Sequence, residues 1–389
     1  MNDLSEEILA YALQNAMSFG KADASKVLPK LFQHGFKKES IKAIMPAINK
    51  AVKKVNGMDG DERAAAFEKL KSCVKVHERA SERILTELPN ASEKMVFRLA
   101  PFPSGALHIG NAKTYLLNAL YAERYKAKTL LVMDDTIGSE EKQLAPESYD
   151  LIKDGFLWLD VAYDKKIVYK SDRLKLYYSY AEKLIEKDKV YVCYCPAEEL
   201  RKNRASGVEC SCRQFPVKIQ TGRWKEMFKE KEGHAVLRIK TDMQHPNPAF
   251  RDRVLFKISD REHPRIGNKY RVWPSLEMSW AIDDYELGVT HIIRGNDLMI
   301  ETEMEKYIWD IFGWKHATTI HTGLVRIEGL GAKISKSKAQ KEVKSGEFIG
   351  WDDPRSWSLQ SLRRRGILPQ AVREFVREIG LNKQDIAVP

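Results

Sequence analysis

The sequence predicts a parallel α/β core with helical segments at both ends. Three stretches carry that prediction. Met95 to Ala100 is a short apolar run; two prolines and a glycine then force a loop, and from Gly110 a helical stripe runs through Tyr115, Leu116, Ala119, Leu120 and Ala122. Thr129 to Met133 reads as a second strand ending in Asp134-Asp135-Thr136, with carboxylates at the edge where parallel sheets bind ligands. Residues 1–92 carry helical patterning and no strand signal.

Taken in order, Ser5 is placed to cap a helix with Leu9, Leu13, Ala16 and Met17 on one face, ending at Gly20. Further helices are expected over Lys26 to Gln33, Ser40 to Val55 and Asp61 to Leu88. Their lysines, Lys42, Lys50, Lys53, Lys54, Lys69, Lys71 and Lys75, suit either a solvated face or an RNA-facing one. Cys73 and His77 lack further ligands nearby and read as structural.

The strand-loop-helix at 95–122 is a ready anion site, because unpaired N–H groups and the helix dipole face the same way. His108 stands just before the helix, able to donate to a phosphate oxygen or simply to start the helix. Far downstream, Gly331 to Lys338 is a small-residue loop whose lysines, Lys333, Lys336 and Lys338, alternate with hydroxyls. Such a loop can close on a polyphosphate, although a solvated basic loop is the commoner fate of a lysine run.

Between them, helices are expected over Pro146 to Leu159 and Ser171 to Lys187, then a strand over Lys189 to Cys193. Cys193, Cys195, Cys210 and Cys212 form two C-x-C pairs with 14 residues between, a set that suits a closed structural zinc site or four buried thiols. Arg294 ends a β-branched run and Arg98 ends the first strand, so both guanidiniums can aim at one carboxylate; structural ion pairs with Asp134 or Asp283 are the alternative. Arg363, Arg364 and Arg365 close a short helix before Gly366, and a last helix is expected over Gln370 to Ile379.

Composition sets the outer limits. A chain of 389 residues exceeds one ordinary core, and 43% apolar residues can fill several. With 65 Lys+Arg against 54 Asp+Glu, the charge of +11 favours a polyanionic partner such as nucleic acid. Five cysteines in this length do not suggest a secreted disulfide scaffold, and no targeting or membrane segment is visible, so a cytoplasmic protein is expected.

His108-Ile109-Gly110-Asn111 and Lys333-Ile334-Ser335-Lys336-Ser337, in this order and separation, resemble the HIGH and KMSKS signatures of class I aminoacyl-tRNA synthetases. Lys269 to Asp284 and Gly288 to Asp297 resemble the glutamyl/glutaminyl subgroup. The helical front and the run from Gly350 to Gly366 resemble its archaeal-type glutamyl members. The resemblance implies a Rossmann-like parallel sheet with an inserted acceptor-binding domain, an all-helical N-terminal domain and a C-terminal helical stem-contact module. The corresponding ranges are 1–92, 93–192, 193–262, 263–324 and 325–389, the second and fourth forming the catalytic domain.

It further implies attachment of L-glutamate to tRNA(Glu), and possible charging of tRNA(Gln), through a glutamyl-adenylate made with ATP and Mg²⁺. His108, Lys333 and Lys336 would be catalytic. Pro101, Gly105, Gly110, Asn111 and Ser335 would join them around ATP. Arg98, Ala100, Asp134 and Arg294 would hold the amino acid, and Arg355, Arg363, Arg364 and Arg365 the tRNA. The cysteine set would be a zinc knuckle in the insertion. A monomer is expected, with anticodon recognition absent or supplied by a separate chain. Glutamyl transfer to a modified tRNA base and a non-catalytic tRNA-binding module are the rival readings. This sequence departs from the family at three pocket positions: Leu276 replaces a common tyrosine, Trp280 an occasional asparagine, and Phe102 a small or polar residue.

Overall fold

The computed structural model describes residues 4–34, 41–74, 85–137, 143–327 and 336–388. The chain divides into two compact units, Met1–Arg83 and Ile84–Pro389. The first is helical, with α1 (Ser5–Phe19), α2 (Ala24–Leu31), α3 (Ile41–Asn56) and α4 (Gly60–Leu70). α1 buries Ile8, Tyr11, Ala12, Leu13 and Ala16. That face is rotated from the expected one, leaving Met17 exposed. Ser5 is the first helical residue rather than the cap; Leu4 holds the cap position and offers no side-chain bond. Gly20 ends the helix at φ 77°, where the absence of a Cβ removes the steric cost.

The helix expected over Asp61 to Leu88 stops at Leu70. Lys71–Cys73 tighten into a 3-10 turn, Val74 is extended, and residues 85–88 are not helical. Arg63 ties the unit together: Nε donates to Val55 O at 3.0 Å and Nη1 to Gly20 O at 2.9 Å. Both carbonyls belong to helix ends, which leave their last acceptors unbonded.

The second unit opens with β1 (Val96–Leu99), α5 (Ile109–Tyr125), β2 (Lys128–Met133), α6 (Ser148–Trp158), β3 (Val168–Tyr169) and α7 (Leu174–Glu186). An excursion follows through β4 (Val190–Cys193), α8 (Ala197–Ser206), α9 (Val217–Met227), β5 (Val236–Ile239), β6 (Val254–Ile258) and β7 (Val272–Pro274). Then come α10 (Leu276–Glu286), β8 (His291–Gly295), α11 (Met299–Phe312), β9 (Thr318–Thr322) and β10 (Val325–Ile327). The described chain ends with α12 (Lys336–Lys344), α13 (Leu359–Arg364), α14 (Pro369–Ile379) and β11 (Ile386–Val388).

Five strands pair in parallel in the order β3-β2-β1-β8-β9. The order switches at β1, which lies between β2 and β8, and such a point opens a crevice beyond the strands' C-terminal ends. Alternating side chains define two faces. Leu130, Val132 and Ile292 join one apolar cluster with residues of α7, α10 and α11. Leu131, Met133 and Ile293 join another with residues of α5, α6, α13 and α14. Burial on both faces is why these strands read as unbroken apolar runs. The excursion strands form a separate antiparallel sheet, β4-β5-β6-β7.

β11 pairs in parallel with β10. A Cβ at residue 323 would lie 2.0 Å from Gln384 O, so the chain before β11 can pass only against a glycine.

Candidate active site

The loop from β1 to α5 lies at the switch point and is held from three sides. Asp134 N donates to Pro101 O at 3.0 Å, Ala145 N to Pro103 O at 3.0 Å, and Leu359 N to Leu107 O at 2.8 Å. Ala100, Pro101 and Gly105 are buried in it. Gly105 has φ 155°, and a Cβ there would lie 2.2 Å from the ring of Trp351. Gly105→Ala is therefore expected to push Trp351 off the loop and lower stability by about 1–3 kcal/mol, read in thermal melts; an unchanged melt would show that the indole is free to move.

His108 is the N-cap of α5. Its Nδ1 accepts from Asn111 N at 3.3 Å, and Asn111 Oδ1 accepts from His108 N at 3.0 Å, a reciprocal capping box. The amide of Asn111 thus locks the imidazole at the helix N-terminus beside Gly110. Lys113, one turn on, is buried; its Nζ donates to Thr322 Oγ1 at 2.9 Å and Gly323 O at 2.6 Å. Burial holds its pKa below the usual lysine range.

Ion pairs, most of them buried, gather at the C-terminal ends of β1, β2 and β8, where such a sheet binds ligands. Arg98 makes two parallel bonds to Asp284, one of them 3.0 Å. Arg294 makes two to Glu305, at 2.9 and 2.8 Å. Lys170 Nζ lies 2.9 Å from Asp134 Oδ1 and donates to Ser279 Oγ at 2.9 Å. Arg173 pairs with Asp283 at 2.7 Å. The partners thus differ from the expected ones: Arg98 takes Asp284, while Asp134 and Asp283 serve other cations.

Burial opposes the charge on Arg98, yet the surrounding carboxylates, Asp284 foremost with Glu305 and Asp134, outweigh it and raise the pKa. Burial raises the pKa of Glu305 despite Arg294. One indole gathers three of the cations: Arg98 and Arg294 each lie 4.8 Å from the Trp280 ring centre, and Lys170 lies 5.3 Å away.

Sequence reasoning brought Arg98, Ala100, Asp134 and Arg294 to this place but missed Lys170, Glu305 and the role of Trp280. Two signals could have found the first two. Lys170 follows β3 at the ligand-binding edge, and Glu305 lies on the apolar stripe of α11 with Met304, Ile308 and Trp309, where a carboxylate needs a cation. Lys333 and Ser335 lie outside the described residues. Lys336 opens α12, and its side chain is likewise outside them.

In the excursion, Cys193 ends β4, Cys195 follows in its turn, and Cys210 and Cys212 flank the start of a 3-10 turn at Ser211–Gln214. The four Sγ atoms lie within 4.8 Å of one another. Cys210 Sγ is 3.5 Å from that of Cys193 and 3.2 Å from that of Cys195. A tetrahedral zinc with Zn–S bonds near 2.3 Å spaces its sulfurs by about 3.8 Å, so the set fits the metal. Burial pushes the Cys193 thiol up to about 12 and raises Cys195 as well, so these sulfurs need a cation to become thiolates.

The terminal arginines are partly committed within the chain. Arg355 pairs with Asp353 at 2.8 Å, Arg363 with Asp154 at 2.9 Å and Arg364 with Asp352 at 3.1 Å, while Arg365 stacks on Trp357. The first three stay at least 45% exposed, so a phosphate could still reach their remaining donors.

Residues 94–388 match the family model described as tRNA synthetases class I (E and Q), catalytic domain. The chain is 44% identical to a glutamate–tRNA ligase of Pyrococcus furiosus, covering 98% of this chain and 68% of that protein. It is 40% identical to the glutamate–tRNA ligase of Methanocaldococcus jannaschii, with 98% and 68% covered. The glutamate-tRNA synthetase structure from Elizabethkingia anophelis shares the fold at a TM-score of 0.55 and 20% identity, over 76% of this chain and 68% of that one. With the switch-point crevice, the capped His108 and a family match over most of its length, the chain belongs to the class I tRNA synthetases of the E and Q group.

Proposed function

We infer that this chain attaches L-glutamate to tRNA, making a glutamyl-adenylate from ATP and then esterifying the tRNA 3′ end. The observation that carries the reading is membership of a family whose relatives, at about this identity over nearly the whole chain, are glutamate–tRNA ligases. Glutamyl transfer to a modified base is not favoured by those relatives. The acceptor in the proposal is tRNA(Glu), and charging assays with tRNA(Gln) decide whether it is a second one.

The chemistry needs no enzyme nucleophile. The substrate carboxylate attacks the α-phosphorus in line, and the protein contributes alignment and stabilisation of phosphate charge. In the proposal His108 lies against the triphosphate from the N-terminus of α5, with Gly105, Gly110 and Asn111 shaping the loop beneath it, and Lys333 and Lys336 supply positive charge to the same phosphates. Mg²⁺ accompanies ATP as part of the substrate and neutralises phosphate charge. Asp134 faces the substrate ammonium, Arg98 and Arg294 face its side-chain carboxylate, and Arg355, Arg363, Arg364 and Arg365 meet the tRNA stem.

Labelled glutamate, ATP and tRNA test the whole. The expected product is an alkali-labile ester that does not form when periodate has destroyed the terminal diol of the tRNA. A label that survives both treatments would place glutamate on a base instead. The zinc proposal has its own readout. One zinc per chain is expected by elemental analysis, and Cys195→Ser should lower both zinc content and melting temperature. A metal-free protein of equal stability would contradict it.

A further inference from the structure

Most charges around α10 already have a partner: Arg98 pairs with Asp284, Arg294 with Glu305, Lys170 with Asp134 and Arg173 with Asp283. A substrate carboxylate entering here finds the paired edges of both guanidiniums taken. Two buried donors here have no partner among the described residues. Arg294 spends Nη1 and Nη2 on Glu305, and its buried Nε–H has no hydrogen-bond partner among the described residues. The indole Nε1–H of Trp280 has none either, although that residue is only 5% exposed. The two side chains are neighbours, the Arg294 guanidinium lying 4.8 Å from the indole ring centre. Unbonded buried donors are rare and costly, and two on adjacent side chains in a substrate crevice imply a missing acceptor.

We propose that Trp280 Nε1–H and Arg294 Nε–H together hold the side-chain carboxylate of the amino acid, making Trp280 a specificity-determining residue. The inference rests on the reading of this crevice as the glutamate pocket. Leu276, one turn before Trp280 on α10, has no polar side-chain atom, so the indole supplies a contact that Leu276 does not. Both proposed donors can only donate, and a carboxylate can answer both. A glutamine amide offers one accepting oxygen in place of two and no negative charge to answer Arg294, so it is held less well. Three cations around the ring hold the indole in place by cation–π attraction.

The test is steady-state ATP–pyrophosphate exchange by the full chain with tRNA(Glu) present, comparing wild type, Trp280→Phe and Trp280→His. Phenylalanine keeps an aromatic face and removes the N–H. Its KM for glutamate is expected to rise about 10- to 100-fold, the range for a lost hydrogen bond to a charged group, with KM for ATP nearly unchanged. Histidine keeps a ring N–H and is expected to recover part of the loss. An unchanged KM for glutamate in Trp280→Phe overturns the proposal, since the donor would then be met by water or by the protein. Equal rises in both KM values, with no recovery by histidine, also overturn it, because the indole would then be purely structural. Absence of wild-type exchange with glutamate is a different outcome, which removes the functional reading itself.

Discussion

Lys336→Ala is expected to slow single-turnover formation of glutamyl-adenylate by about 10²–10³, the usual effect of removing one preorganised group that stabilises transition-state charge. Class I chemistry gives the protein little covalent work, so the charge that builds on the transferring phosphate is where catalysis must act. Lys336 is the first residue of α12. The fall should appear in the rate constant at saturating ATP and glutamate, with binding of both substrates largely retained, because an interaction made only in the transition state changes the rate rather than affinity. Rapid-quench measurement with tRNA present checks this. An unchanged activation rate would remove Lys336, and with it the role of the lysine loop, from the mechanism.

Asp284→Ala is expected to cost about 3–5 kcal/mol, because it leaves the Arg98 guanidinium charged and buried without its partner. The side chains are 6% and 0% exposed, so water cannot replace the lost carboxylate. For a unit of this size the melting temperature should fall by roughly 10 °C. Removing both charges, as Arg98→Leu with Asp284→Leu, should restore much of that stability, since apolar side chains carry no desolvation penalty. Thermal and urea melts of the single and double variants decide the matter. If the double variant is no more stable than Asp284→Ala, the loss comes from packing and not from a stranded charge.

Much of this arrangement was legible in the sequence because one short-range rule carried it. Strands buried on both faces must be apolar throughout, so β1 and β2 stood out, and the residues just after them had to be at the ligand edge. The reading failed where partners come from far along the chain. Arg98 meets Asp284 from 186 residues away, and nothing local separates Asp284 from its neighbour Asp283, which turns instead to Arg173. Helix faces failed for a related reason: α1 packs against α2, α3 and α4, so its buried side is wider than one stripe, and Leu13 and Ala16 were right while Met17 was not. The stop at Leu70 escaped notice because Lys71 to Cys73 contain no proline or glycine. At residues 193–212 spacing and geometry agree: four cysteines in two C-x-C pairs do come together.

ATP–pyrophosphate exchange with glutamate and with glutamine, each with and without tRNA(Glu), bears on the central claim most directly. Exchange is expected with glutamate when tRNA is present, and at least about a hundredfold less with glutamine, because a neutral amide cannot answer the buried donors and the Arg294 charge as a carboxylate does. A folded chain that exchanges with neither amino acid in the presence of tRNA, or with both equally, would contradict the account.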